Sequence, residues 1–259
     1  MAAIVPAPCR EDGEHSRAWV GRLFRDAGGP PVAFTLDGQR MSGFPAGWEV
    51  VSSDRRIDAN IVETISTADH PSCPLRLRVE RLTYLDWPVV EWTAWIENHG
   101  DAPSLPISDI LALDGIFAGS TPVVVHGNGD FCSADGYTSH RTAIHPGETL
   151  PYAPRGGRSC DGTFPYYRLL FEGCGLSLAI GWPAQWRVVF TGTADGVRVC
   201  AGQEKTHLRL FPAEAVRTPR ITMLSWAGDE QRAINLWRQW YLAHVLPRTD
   251  GHPLRPLLA

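Results

Sequence analysis

Val90-Glu-Trp92-Thr-Ala94-Trp-Ile96-Glu97 alternates large apolar and polar side chains with a period of two. Successive side chains of a strand point to opposite faces, so this spacing predicts a strand with one face on a core. The pattern recurs upstream in Leu75-Arg-Leu77-Arg-Val79-Glu80. It returns downstream in Leu176-Ser-Leu178-Ala-Ile180-Gly-Trp182, Val197-Arg-Val199, His207-Leu-Arg-Leu210 and Arg220-Ile-Thr-Met223. Between these runs fall 25 glycines and 21 prolines, and Asn98-His-Gly100-Asp101 reads as a turn joining two strands. Strands at this density in 259 residues predict an all-β fold, with two large antiparallel sheets face to face. No internal repeat of fixed period stands out.

One segment breaks the pattern. From Asp229 to Leu246, Ala233, Leu236, Trp237, Trp240, Tyr241 and His244 share one side of a helix. Acidic residues open it and Pro247 closes it, as the helix dipole and the missing proline N–H require. The expected organisation is a sandwich over residues 1–228. A linker helix and an extended, proline-rich lead follow over 229–259.

Composition narrows the function. A net charge of −4 without a basic cluster excludes nucleic acid as the main partner. No apolar stretch approaches membrane-spanning length and no signal peptide is visible, so a soluble, cytoplasmic protein is expected. The six cysteines form no Cys-x-x-Cys pair, and free, mostly buried thiols are expected. His140 and His145 are wrongly spaced for a helical ligand pair, and no metal or cofactor site is expected. A Gly-x-Ser-x-Gly nucleophile turn is absent, and Gly127-Asn-Gly129-Asp130 lacks the lysine of a phosphate loop. Asp109 and Asp114 read as turn and strand-end residues rather than a catalytic carboxyl pair.

Ten tryptophans are many for this length. Most must be core, and one or two at a cleft edge would suffice to stack on a sugar. Two loops have the composition of such an edge: His126–Tyr137, and Arg155–Tyr167. Both mix glycine, short polar side chains, carboxylates and aromatics. The other reading of them is a pair of ordered loops at a domain or subunit face, held by Asx turns.

The second loop, with Ile180-Gly-Trp-Pro-Ala-Gln-Trp186, resembles the N-terminal domain of family 36 α-galactosidases. The resemblance continues through Val197–Leu210, Val216-Arg-Thr-Pro-Arg-Ile221 and Asn235-Leu-Trp-Arg-Gln-Trp-Tyr-Leu-Ala-His244. Phe44-Pro-Ala-Gly-Trp48, Asp86-Trp-Pro-Val-Val-Glu-Trp92 and Asp130-Phe-Cys-Ser-Ala-Asp135 are similar as well. It covers most of the chain from about residue 30, whereas the first thirty residues match nothing.

The resemblance implies a β-supersandwich leading through a helix into a (β/α)8 barrel. Two barrel aspartates would carry a retaining glycosidase mechanism. No catalytic residue is carried over, because the chain reaches Ala259 before such a barrel. The resemblance implies contact with the carbohydrate substrate through the barrel, with Asp135, Asp161 and Tyr166 at the active-site rim, and it admits a homo-oligomer. Two other readings stand beside it. One is a stand-alone carbohydrate-binding module. The other is a mutarotase-like enzyme of the same architecture, which would need Glu172 or Glu204 to converge with His207.

Overall fold

The computed structural model describes residues 7–26, 29–130, 132–249 and 251–253. Among them are two large antiparallel sheets packed face to face. The first has seven strands. In spatial order they are Thr149–Tyr152, Trp186–Thr193, Gly196–Gln203, Ile107–Ala118, Ala33–Leu36 and Gln39–Ser42, with His207–Leu208 also pairing to Ile107–Ala118. The second has ten. They run Glu49–Arg56, Ile61–Asp69, Leu75–Tyr84, Val89–Asn98, Arg220–Ala227, Cys174–Gly181, Tyr166–Phe171, Val123–Gly127 and Ser139–Ala143, with Ala215–Arg217 beside Val89–Asn98.

The alternation seen in the sequence sets the faces. Val90, Trp92, Ala94 and Ile96 of one strand join Ile221 and Met223 of its neighbour in the core between the sheets. Leu176, Leu178 and Ile180 lie on the same side, as do Leu169 and Phe171. Tryptophan does much of the filling. Trp92 and Trp186 are fully buried, and each indole N–H finds a backbone carbonyl, that of Ala112 at 2.7 Å and of Ser159 at 2.9 Å. Buried aromatics that satisfy their one polar atom keep the full benefit of their area.

The ten-stranded sheet is covered on its second face as well. A helix α1 (Glu230–Trp240) lies there and continues as a π turn over Tyr241–Val245. Asp229 caps it, accepting from the Arg232 N–H at 2.7 Å. Ala233, Leu236 and Trp240 press onto Tyr84, Val89, Leu170, Leu224 and Trp226, forming a second, smaller core. Gly175 makes room for it: a Cβ there would lie 2.2 Å from the Trp226 ring. The predicted helix is therefore present, and it is the third layer of the molecule. Beyond it Arg248–Thr249 pairs with His252–Pro253. The rest of the expected lead, 254–259, lies outside the described residues.

A further helix, Arg10–Gly21, followed by a π turn over Arg22–Asp26, was not expected from the sequence. It is mostly polar and carries Gly13 within it. It enters the fold through Trp19, which packs on Phe117 and Phe171, and through Leu23 in the inter-sheet core. Its first turn is fixed by Asp12, which is wholly buried and accepts from the N–H groups of Cys9 and Ala227 and from both terminal nitrogens of Arg232, all at 2.7–2.8 Å.

The six cysteines are free. Cys9 and Cys132 are exposed and the other four are half-buried, so the thiols are less buried than expected: Cys9 caps a helix, Cys73, Cys132 and Cys160 sit in loops, Cys174 opens a strand, and Cys200 lies beside Asp114 on an outer sheet face. Among the described residues no helix is long and apolar enough to cross a membrane.

Candidate functional site: an aromatic cleft on the outer sheet face

The two loops singled out by composition pack against each other. The Asp130 N–H donates to the Cys160 carbonyl at 2.8 Å, and the Phe164 N–H to the Gly127 carbonyl at 3.0 Å. Gly129 allows this approach. Its φ is +72°, and a Cβ would stand 2.0 Å from the Cys160 oxygen. Inside the first loop Asp130 Oδ1 accepts from the Cys132 N–H at 2.9 Å, which is an Asx turn.

From this junction a chain of rings runs along the outer face of the ten-stranded sheet. Tyr137, 56% exposed, meets Phe164 edge-on at 5.4 Å. Phe164 stacks on Tyr166 at 4.8 Å, and Tyr166 meets Trp237 of α1 edge-on at 5.8 Å. The Tyr166 and Tyr241 hydroxyls are 2.8 Å apart. Burial, with this bond from Tyr166, pushes the Tyr241 hydroxyl well above the usual tyrosine range.

A cavity of about 220 Å³ opens over these rings, lined by Val125, Tyr137, Ser139, Phe164, Tyr166 and Arg168. A second, of about 100 Å³, shares Tyr166 and Arg168 and reaches Ser177, Trp237 and Arg238 beneath α1. Arg168 is held in place by Glu230, its Nε 2.7 Å from Oε1, and Arg141 binds the other carboxylate oxygen. Burial opposes the charge on Glu230, but the two guanidiniums outweigh it and keep the carboxyl below its ordinary range.

Of the three rim residues expected from the sequence, Tyr166 lines the cleft. Asp135 is exposed in the first loop and accepts from the Ser133 hydroxyl; that bond and its own backbone N–H hold its pKa below the usual carboxylate value. Asp161 is half-buried in the second loop, with its Oδ2 3.1 Å from Arg158. Both carboxylates thus stand on the loops that wall the cleft, and each is engaged locally. Arg168 and Ser177 were missed. Each occupies a polar alternate position of a strand, Tyr166-Tyr-Arg168 and Leu176-Ser-Leu178, and the period-two pattern alone assigns such positions to solvent.

The pair needed for a mutarotase does not form with Glu172. His207 pairs with Ser108 at one end of strand Ile107–Ala118, whereas Glu172 lies 3.4 Å from Ser120, past the other end, about 30 Å of strand away. Glu204 lies in the turn just before the short strand His207–Leu208, and His207 is exposed. Asp114 lies on the outer face of the seven-stranded sheet, where Arg40 and Arg198 bind its carboxylate at 2.6–2.9 Å. Among the described residues no group of three or more His, Cys, Asp or Glu side chains is arranged to hold a metal ion.

Solved structures share this arrangement of sheets. The α-galactosidase of Lactobacillus brevis superposes with a TM-score of 0.68 at 12% identity, over 88% of this chain and 33% of that one. A family 36 α-galactosidase of Geobacillus stearothermophilus gives 0.67 at 13%, over 86% and 33%. The chain has the fold of one third of a family 36 α-galactosidase. An α-N-acetylgalactosaminidase of Bifidobacterium bifidum aligns with a TM-score of 0.54 at 12% identity, over 84% of this chain and 34% of that one. The chain thus spans about a third of the length of the solved structures it matches. No protein-family model and no curated protein matches its sequence.

Proposed function

We propose that this chain is the non-catalytic β-sandwich of a retaining, α-galactosidase-type glycoside hydrolase, and that it supports and rims an active site carried by a barrel encoded downstream. The observation that carries this reading is the fold likeness, which takes in 88% of the chain but 33% of an α-galactosidase. In this reading Asp135, Asp161 and Tyr166 face the barrel's substrate opening, and the carbohydrate is held mainly by the barrel. The protein works in the cytoplasm, where six unpaired thiols would stay reduced.

The test has two arms. Reading the gene beyond Ala259 should show a barrel with two suitably placed aspartates, and the full product should hydrolyse p-nitrophenyl α-galactoside while the 259-residue chain does not. Turnover by the chain alone, or a stop codon after Ala259, refutes the assignment. A carbohydrate-binding module acting alone is the second reading, favoured by the aromatic cleft.

A further inference from the structure

We infer that the cleft formed by Tyr137, Phe164, Tyr166, Arg168 and Ser177 is a pyranoside-binding site that the sandwich possesses by itself. The inference deepens the proposed function and rests on it for the choice of sugars to test.

Three features carry it. The first is the floor. Tyr137 is 56% exposed, and its ring contact is edge-on to Phe164. An exposed ring beside two stacked ones offers an apolar face for the C–H side of a pyranose, and tyrosine combines such a face with a polar tip.

The second is an unspent polar group. Ser177 is 6% exposed and lines the inner compartment, yet its hydroxyl makes no hydrogen bond to another described residue. This hydroxyl opens onto the compartment, where water serves it, and a ligand hydroxyl that reproduces the water's hydrogen bond can displace that water. A sugar hydroxyl entering the inner compartment would supply that bond.

The third is pre-organisation. Arg168 stands between the two compartments with its Nε fixed on Glu230, while Arg238 lines the inner one. Arg168 thus presents donors in a fixed direction, and the exposed Arg238 adds a second guanidinium, which suits the ring and hydroxyl oxygens of a glycoside. Together the compartments fall at the lower end of the ~300–1,000 Å³ range of small-ligand sites, which fits one pyranose and its substituent. The mixture of apolar floor and few convergent polar groups is that of a specific small-molecule site rather than a protein-docking face.

The experiment is titration calorimetry on the 259-residue chain with methyl α-galactoside and methyl α-glucoside, backed by ligand-observed NMR. Saturable binding of at least one pyranoside is expected. Tyr137→Ala, an exposed side chain, should weaken it about ten-fold, equivalent to about 1.4 kcal/mol. Ser177→Ala should weaken it several-fold with an unchanged unfolding midpoint. Val51→Ala, on the far edge strand, should bind as the parent does. The inference is overturned if neither glycoside binds, or if binding persists unchanged in both Tyr137→Ala and Ser177→Ala. Such a failure leaves the proposed function standing, because that is tested by the downstream gene and by turnover of its full product.

Discussion

Asp12 and Arg232 are 220 residues apart in the chain, and their ion pair ties the first helix to the last. Asp12 has no exposed surface, and four donors converge on its two oxygens. Burial works against its charge, but the bonds from Arg232 and from the Cys9 and Ala227 N–H groups prevail and hold its pKa below the ordinary aspartate value. A carboxyl depressed in the folded state contributes stability that is fully present above its unfolded pKa of about 3.9 and is lost as pH falls through the folded value. Asp12→Asn should therefore flatten the acid limb of a stability–pH curve measured by urea unfolding. Asp12→Ala should cost about 3 kcal/mol at neutral pH, since it strands Arg232 and two backbone donors. An acid limb identical to the parent's would show that this pair does not set acid stability. No spacing rule links position 12 to position 232, so the pair was illegible in the sequence. At the same scale, Cys9 and Cys132 are the two exposed thiols. Ellman's reagent should titrate two groups rapidly in the native chain and six in urea.

Single elements differ sharply in how much they revealed. Strand Leu75–Tyr84 was readable because one side faces the inter-sheet core and the other carries charge, with Arg78 bound to Glu97 across the pair. Strand Arg220–Ala227 was half-readable. It is buried on both faces, so after Arg220 no charged residue marks a solvent side, and the alternation of Arg220-Ile-Thr-Met223 breaks at Leu224-Ser-Trp226. Helix Arg10–Gly21 escaped because few of its residues are apolar, and Trp19 does the anchoring with Leu23 just beyond it. The strand Glu49–Arg56 shows the opposite extreme: all eight residues are exposed at the sheet edge. Its charges are tied within its own sheet, Asp54 to Thr64 and Arg55 to Glu63, which leaves Val50 and Val51 as the exposed apolar groups. Val51→Lys should change the unfolding free energy by less than about 0.5 kcal/mol and should slow aggregation on heating, because edge lysines block strand addition. Faster aggregation by light scattering would mean that this edge is already protected in another way.

At the scale of the whole molecule the described residues form three layers, two sheets and then α1; periodicity announced the helix as well as the strands, but not the sheet face on which the helix lies. The third depends on a face of the ten-stranded sheet that reads as solvent-facing until a helix is placed on it. The candidate cleft inherits this ambiguity, since Tyr166, Arg168 and Ser177 belong to that face while Tyr137 and Phe164 come from loops that composition did single out. The layer has energetic weight. Trp240 is 1% exposed and meets Tyr84 edge-on at 5.6 Å, and Leu236 and Ala233 are wholly buried beside it. Trp240→Ala should cost about 3–5 kcal/mol by guanidinium unfolding, the usual range for emptying a buried aromatic site. A chain ended after Gly228 would lose the layer altogether and uncover Leu170, Leu224 and Trp226 as one apolar patch. It would also release Arg168 from Glu230 and remove the partner that keeps Asp12 charged. The expected product keeps its far-ultraviolet β signal, binds 8-anilinonaphthalene sulfonate and associates in solution, because exposed patches of this kind drive aggregation. If that shortened chain instead stays monomeric with the parent's unfolding midpoint, the two sheets suffice and α1 serves attachment rather than stability.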